Sequence, residues 1–492
     1  MTWPGATDLL LGLDAGTTLL KAALYTPEGE LLGQGEAPQG VQSPQPGWAE
    51  QDPRTWWRGM LRAVRQALSR AGVSGDRVTA IGLSTQGGTL AVFHPDGRPK
   101  GPALVWSDSR QRAPDEDSGA LRDEHFRITG LAHRGMTPAA LSWLKTRRPE
   151  WFQDPYRIGY VPDYLTFRLT GRWVSDHTNL AISGLCDLAA GDIGLPLLER
   201  LGVPRAAFAA TAPLAAAPPG QAAGPLLPAA ARALRLRPAI PVAVPVHDQY
   251  AAALGAGCTE PGDLLLSTGT AWALLLTADR LIADRTASFW PSRHLQEGRW
   301  GLIGAISSGS MTLDRLVDFT LRRRDWERIN AAAESVPPGS DGLLVIPHLV
   351  GRTLPTSDLT ARGAILGWSL GHGRPHLWRA AMEGLAFETR AACEYLGQAG
   401  ARVEAMRMVG GAARSPLWPR IVASVLGVPL NACAGENLAA RGAACLAARA
   451  LGAPALPQAS GWARHDPAPE WRGPYEEAYR RYLEAIARLE RA

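Results

Sequence analysis

The sequence predicts an α/β protein made of two duplicated halves with a cleft between them. At 492 residues the chain exceeds what one hydrophobic core supports, since domains run to roughly 150 residues each. A loop of one chemistry occurs twice, as Leu11-Gly-Leu-Asp-Ala-Gly-Thr-Thr18 and as Leu264-Leu-Leu-Ser-Thr-Gly-Thr270. Each copy ends one apolar run and opens another, Leu19 to Tyr25 and Ala271 to Thr277, which is the pattern of a β-hairpin.

In the first half, strand-like runs cover Leu9 to Leu13, Leu19 to Tyr25 and Leu31 to Gly35. A helix follows over Arg54 to Ala71, where Trp57, Met60, Leu61, Val64 and Leu68 keep amphipathic spacing. Another strand, Val78 to Leu83, runs into Ser84-Thr-Gln-Gly-Gly88. Hairpin, crossover helix and strand in that order call for a mixed sheet. From about Arg205 to Val246 the chain is rich in Ala and Pro, which suggests a linker, although Ile240 to Val246 reads as a strand aimed at His247-Asp-Gln249. The boundary therefore falls there, with domains 1–246 and 247–492. In the second half a helix is expected over Gln249 to Ala256 and a hairpin over Asp263 to Thr277. Strands follow at Leu302 to Ala305 and Leu343 to Ile346, then a helix over His376 to Leu396. Met406 to Gly411 reads as a strand ending in a glycine pair.

Composition narrows the function classes. The chain is 46% hydrophobic and 20% charged, the balance of a soluble globular protein, and Pro, Gly or charge interrupts every apolar stretch before membrane-spanning length. Met1 to Asp8 lacks the basic start of a secretory signal, so a cytoplasmic protein is expected. The net charge of +5 is carried almost wholly by Arg dispersed among acids, with Lys only at 21, 100 and 145. No basic run with interleaved aromatics implies nucleic acid. The five cysteines have no metal-ligand or disulfide spacing and read as small core residues.

The repeated loops carry the chemistry. A Gly-Thr turn leaves backbone N–H groups free and adds hydroxyl donors, while glycine lets phosphate oxygens approach without a Cβ in the way. Two such turns could hold a polyphosphate from opposite sides. Phosphoryl transfer also needs a metal with a carboxylate nearby and a group that takes the attacking hydroxyl's proton. Asp14, inside the first turn, suits the metal. Asp248, at a strand end just before a helix, suits the base, and as a residue type it equally suits a helix cap. Val409-Gly-Gly-Ala-Ala-Arg-Ser415 joins a strand to a helix through two glycines, where a flat base or ribose could lie against backbone.

Taken in order, these motifs resemble the FGGY family of carbohydrate kinases through nearly the whole chain. Gly12 to Thr18, Ile81 to Gln86, Ala103 to Arg110, Asp163 to Gly171, Asp248, Ser267 to Thr270, Val409 to Ser415 and Glu436 to Ala444 follow the family's succession, and Gly363 to Gly367 with His376 to Glu383 resembles its second signature. The resemblance implies two ribonuclease H-like domains of the actin and hexokinase type around an interdomain cleft. The first would bind sugar and the second nucleotide. It implies ATP-dependent phosphorylation of a sugar or polyol hydroxyl, a ketopentose such as xylulose being one candidate, with Mg2+. By the same resemblance Asp248 is the catalytic base and Asp14 organises the metal. Gly16, Thr17, Thr18, Lys21, Gly269, Thr270, Gly309, Gly410, Gly411 and Ser415 contact ATP; Gln86, Trp106, Asp108 and Gln249 contact the substrate. A homodimer is compatible with this reading.

Two alternatives stand beside it: an actin-like or chaperone-like ATPase that needs no sugar, and an inactive sugar-binding protein. Gln86, Trp106 and Asp108 argue against the first, and the intact Asp14, Asp248 and Thr270 against the second. Departures from the family bear on the substrate. After Gln86, xylulokinases typically carry Met-His and glycerol kinases Arg-Glu, whereas this chain has Gly87 and Gly88, and Ala140 replaces a signature Lys. The two glycines are expected to enlarge the pocket, delete hydrogen bonds and admit a bulkier sugar.

Overall fold

A computed structural model describes residues 8–112, 119–132, 135–153, 155–211, 221–285, 288–454 and 456–490. Most of the Met1 to Asp8 segment and Pro218-Pro-Gly220 lie outside the described residues. The chain forms two compact units: 1–257 with 290–298 and 437–459, and 258–289 with 299–436 and 460–492.

In the first unit, Leu9–Ala15 pairs antiparallel with Leu19–Tyr25, which pairs antiparallel with Leu31–Pro38. On its other side Leu9–Ala15 runs parallel to Val78–Thr85, which runs parallel to Pro241–Ala243 and to the short strand Val246–His247. Ala222–Pro225 closes the far edge. One face is covered by the helix Pro53–Ala71. It starts where Asp52 accepts the Arg54 N–H at 2.9 Å with Pro53 in the first turn, and ends at Gly72 with φ 64°. Trp56, Met60, Ala63, Val64 and Ala67 of that helix share a core with Leu9, Leu11, Leu13, Leu20 and Leu24.

The second unit repeats the plan. Asp263–Thr268 pairs antiparallel with Trp272–Ala278, which pairs antiparallel with Trp300–Ile306. Asp263–Thr268 also runs parallel to Ala405–Gly410, then come Leu430–Cys433 in parallel and Ala463–His465 antiparallel. The helix Arg374–Gln398 is buried along most of its length in this unit's core. The expected duplication is therefore present strand for strand in its hairpin and first parallel partner.

Two expectations about organisation differ from the structure. The Ala/Pro-rich stretch is not simply a linker: Ala222–Pro225, Pro228–Leu234 and Pro241–Ala243 are a strand, a helix and a strand of the first unit. The chain also does not divide at a single cut after 246. Asp248–Ala256 and the distant helix Leu438–Ala450 both belong to the first unit. Glycine and alanine explain it. A Cβ on Gly12 or Gly82 would lie 1.9 or 1.7 Å from the carbonyl oxygens of Ala440 and Ala443, and one on Gly442 would lie 1.8 Å from Ala251 O. Only side-chain-free strands and a small-residue helix face allow so close a stack.

Candidate active site

Three parallel strand ends of the first unit lie abreast. Register places Asp14 beside Ser84 and Ser84 beside Val246, then Ala15 beside Thr85 and Thr85 beside His247. Beyond that row the chain leaves as the Gly16-Thr-Thr18 turn, as Gln86-Gly-Gly88, and as the helix that Asp248 opens. Such carboxyl ends of parallel strands are where ligands bind in α/β sheets.

Asp14 and Asp248 are electrostatically linked. Burial raises the Asp14 carboxyl to about 6, and the negative charge of Asp248 adds to the rise, while Lys21, Asn437 and Ser84 oppose it. Lys21 sits directly across the hairpin from Asp14. Ser84 Oγ donates to Asp14 Oδ1 at 3.3 Å and Asn437 Nδ2 donates to Oδ2 at 3.1 Å. Burial likewise raises Asp248 to about 6, against hydrogen bonds donated by the Gln249 backbone and side chain. Its side chain keeps 26% of its surface, so a reactant can reach it.

Asn437 escaped the sequence reading. Its Oδ1 caps the helix Leu438–Ala450 by accepting from Ala439 and Ala440 N–H, leaving Nδ2 free to hold Asp14. An Asn before an Ala-rich helix was the available signal; its spatial neighbour 423 positions away was not legible.

The first turn is tied into the sugar-side residues. Gly16 N–H closes the turn on Leu19 O at 3.1 Å. Thr17 Oγ1 donates to Gln86 Oε1 at 2.8 Å and accepts from Trp106 Nε1 at 2.9 Å. Its hydroxyl proton is thus committed within the protein, and what the turn offers an anion is the backbone N–H of Thr17 and Thr18, which have no partner among the described residues. Gln86 is buried, accepting also from Thr89 and donating to Gln51, so it braces the turn. Trp106 is not a core aromatic: it stays 36% exposed beside the turn. Asp108 departs from the expected substrate contact. Its carboxylate is fully buried and taken up by Ala49 N–H at 2.6 Å and by the Arg110 backbone and guanidinium. Arg110 in turn stacks on Trp48, 3.7 Å from the ring centre, and pairs with Glu50. Asp108 therefore shapes the Trp106 loop.

Gly87 and Gly88 do not leave open space. A Cβ on Gly87 would meet His247 Cδ2 at 2.3 Å and Ile182 Cγ2 at 2.6 Å; one on Gly88, at φ 67°, would meet Met136 Cε at 2.5 Å. The space beside both glycines is occupied by His247, Ile182 and Met136 of the same unit, so the expected enlargement is not found at these two positions.

In the second unit, the turn Gly269-Thr270 is backed by two glycine segments. Ser310 N–H donates to Gly269 O at 3.3 Å and Met311 N–H to Thr270 O at 3.2 Å, and a Cβ on Gly309 would sit 2.4 Å from Thr270 O. Thr268 Oγ1 donates to Val409 O at 2.6 Å and accepts Ala412 N–H at 3.1 Å, while Gly411 N–H donates to Thr268 O. Gly269, Thr270, Gly309, Gly410 and Gly411 are thereby brought together. Ser415 behaves differently from the expected nucleotide contact: its hydroxyl donates to Asn330 and accepts from Leu417 and Trp418 N–H, capping the helix Trp418–Leu426.

Among the described residues no group of three or more His, Cys, Asp or Glu forms a metal cage. A hydrated Mg2+ is held by one or two carboxylates plus substrate phosphates. Asp14, buried beside a second negative charge, is the carboxylate that fits. Among the described residues no helix is long and apolar enough to cross a membrane.

Comparison with known proteins supplies the family. The models for the N-terminal and C-terminal domains of the FGGY family of carbohydrate kinases match residues 9–255 and 264–451. A glycerol kinase of Alkalilimnicola ehrlichii is 32% identical over 90% of both chains, and a xylulose kinase of Escherichia coli is 26% identical over 89% of both. The crystal structure of xylulose kinase from Rhodospirillum rubrum, 27% identical, superposes with a TM-score of 0.87 over 98% of this chain and 99% of that one. With the duplicated sheets and the motif order in hand, the chain belongs to the FGGY family of carbohydrate kinases and is an ATP-dependent phosphotransferase that acts on an alcohol group of a sugar or polyol.

Proposed function

We propose that the acceptor is a small neutral polyol or ketose, a ketopentose such as xylulose first among them, and that Asp248 is the base. The observation that carries the assignment is the Asp248 carboxylate itself: raised to about 6 by burial, still 26% exposed, and set at the strand ends where its charge reaches Asp14. A base of that strength is ionised at neutral pH and accepts a proton readily. Gln249 steadies it through two N–H donors.

In the proposed reaction the substrate hydroxyl oxygen forms a bond to the terminal phosphorus of ATP. The bond from that phosphorus to the bridging oxygen breaks, ADP leaves, and the hydroxyl proton ends on an Asp248 oxygen. Magnesium, when bound, neutralises phosphate charge. Asp14 is proposed to hold it, with Lys21 and the Thr17 and Thr18 amides facing phosphate oxygens. Gly269, Thr270, Gly309, Gly410 and Gly411 are proposed to receive the rest of the nucleotide. The likeness to the xylulose kinase fold and the donors near Asp248 support the sugar class.

Coupled ADP release, measured over glycerol, D-xylulose, L-xylulose and D-gluconate, tests this reading. The wild type is expected to turn over at least one neutral member, and Asp248→Asn to lower kcat about a thousandfold with the fold intact. Asp248→Asn turnover within tenfold of wild type removes Asp248 from the base role.

A further inference from the structure

The volume beside Gly87 is filled by a histidine whose state is set by its neighbours. His247 Nδ1 accepts the Gln249 N–H at 3.3 Å, the contact by which it caps the helix Asp248–Ala256. Burial lowers the imidazole to about 4, opposed by the charge of Asp176, so the ring is neutral at physiological pH. A neutral imidazole carries one proton, and with Nδ1 accepting, that proton belongs on Nε2. Nε2 has no hydrogen-bond partner among the described residues, although the side chain is only 7% exposed. The donor is therefore open to an oxygen that enters the site.

Its position is specific. The Cδ2–Nε2 edge lies against Gly87, 2.3 and 2.7 Å from where a Cβ at 87 would stand, so any larger residue there would displace the ring. The backbone of His247 is fixed as well, its N–H donating to Thr178 Oγ1 at 3.0 Å and its strand pairing with Thr85. The next residue is Asp248, with His247 Nδ1 3.5 Å from Asp248 Oδ1. Ile182 and Met136 complete the wall with apolar atoms.

We infer that His247 is a specificity-determining residue: its Nε2–H donates a hydrogen bond to a hydroxyl or carbonyl oxygen of the sugar next to the reacting hydroxyl, and Gly87 is glycine to make room for it. This rests on the assignment of Asp248 as the base. It also defines the substrate's side of the contact, an oxygen that accepts, flanked by carbon against Ile182 and Met136.

Asn at 247 keeps an acceptor for the Gln249 amide and deletes the far donor, whereas Gln keeps a donor near the place of Nε2. With glycerol or D-xylulose, whichever the wild type phosphorylates better, His247→Asn is expected to raise the sugar KM about tenfold, with kcat and the ATP KM within about threefold. His247→Gln recovers part of the loss, and Gly87→Ala, which pushes the ring aside, raises the sugar KM in the same direction. A sugar KM unchanged in His247→Asn, or sugar and ATP KM rising together, overturns the inference. Histidine 15N spectra of the full-length protein with D-xylulose and no ATP supply a readout without turnover. Protonated Nε2 that shifts on adding sugar supports the inference, and a proton on Nδ1 overturns it. A shift without ADP release from any sugar leaves the contact standing and removes the kinase substrate assigned above; ADP release with neither shift nor KM effect does the reverse.

Discussion

The two Gly-Thr hairpins have the same strand pairing but are braced by different partners. In the first, a threonine inside the turn, Thr17, is gripped by Gln86 and Trp106, residues of the crossover strand end and of the following loop. In the second, the threonine before the turn, Thr268, is gripped by Val409 and Ala412, and glycines at 309 and 410 bring neighbouring backbone against it. The first turn also carries a carboxylate, Asp14, where the second has Ser267. One local motif is thus supported in two ways because its non-local partners differ. The first is a charged, side-chain-braced turn and the second a backbone-braced one.

Activity should separate them most strongly. Asp14→Asn is expected to lower kcat by about a hundredfold or more, the scale seen when a group that organises transferring charge is lost, while Thr270→Ala, which leaves the turn's backbone in place, costs about tenfold or less. Steady-state ADP release with saturating sugar checks both. Equal losses would mean that the two turns do the same work.

Stability should separate them next. Gly410 holds φ 98° with its virtual Cβ 2.7 Å from Thr268 O, and Gly309 stands 2.4 Å from Thr270 O, whereas Gly16 clears Leu19 O by 3.1 Å. Gly410→Ala and Gly309→Ala are each expected to cost about 2–4 kcal/mol, and Gly16→Ala about 1 kcal/mol or less. Thermal unfolding followed by circular dichroism orders the three. A Gly16→Ala protein less stable than Gly309→Ala would break the contrast. Smaller still, Thr268→Val strands the Ala412 N–H and removes a donor to Val409 O, about 1–3 kcal/mol. Thr17→Val costs about 1 kcal/mol, because Gln86 Oε1 still accepts from Thr89.

How much of this was legible depends on the range of the interaction. Hairpins, amphipathic helix and duplicated order are local patterns, so the strand expected over Met406 to Gly411 is found at Ala405–Gly410 and the helix expected over Arg54 to Ala71 at Pro53–Ala71. Asp14 and Asp248 stand out in the sequence as candidates because turn and strand-end chemistry marks them. The failures have two sources, near neighbours whose geometry is not written in their identity and partners far along the chain. Asp108 resembles a substrate contact until Arg110 and Ala49 N–H are seen to occupy it, and Ser415 until Leu417 and Trp418 N–H point at its hydroxyl. Gly87 reads as a vacancy because a sequence does not show that His247, 160 positions on, fills it. Asn437 and the return of Leu438–Ala450 to the first unit rest on glycines in Gly12 and Gly82, whose spacing carries no message until the helix is laid across them.

The two carboxylates finally set the pH response, with a sign opposite to the usual one for paired acids. Asp14 and Asp248 both titrate near 6 in the fold and near 3.8 when unfolded. Protonation therefore favours the folded state, and the cost of keeping both ionised is full above pH 6, falls as pH drops through that value, and is gone below about 4. Asp248→Asn removes one charge and lowers the Asp14 value with it, so this inactive variant is expected to be more stable than wild type at pH 8 by about 2–3 kcal/mol at most, with no advantage at pH 4. Asp14→Asn gains less, since its amide nitrogen would face either Ser84 Oγ–H or Asn437 Nδ2–H, both donors to the native carboxylate. In the wild type, kcat/KM should climb with pH through about 6 as Asp248 ionises. Melting temperatures at pH 8 and pH 4, set beside that acid limb, link stability to activity through one residue. If Asp248→Asn melts below wild type at pH 8, the buried charge is already compensated and the raised value near 6 has lost its physical cause.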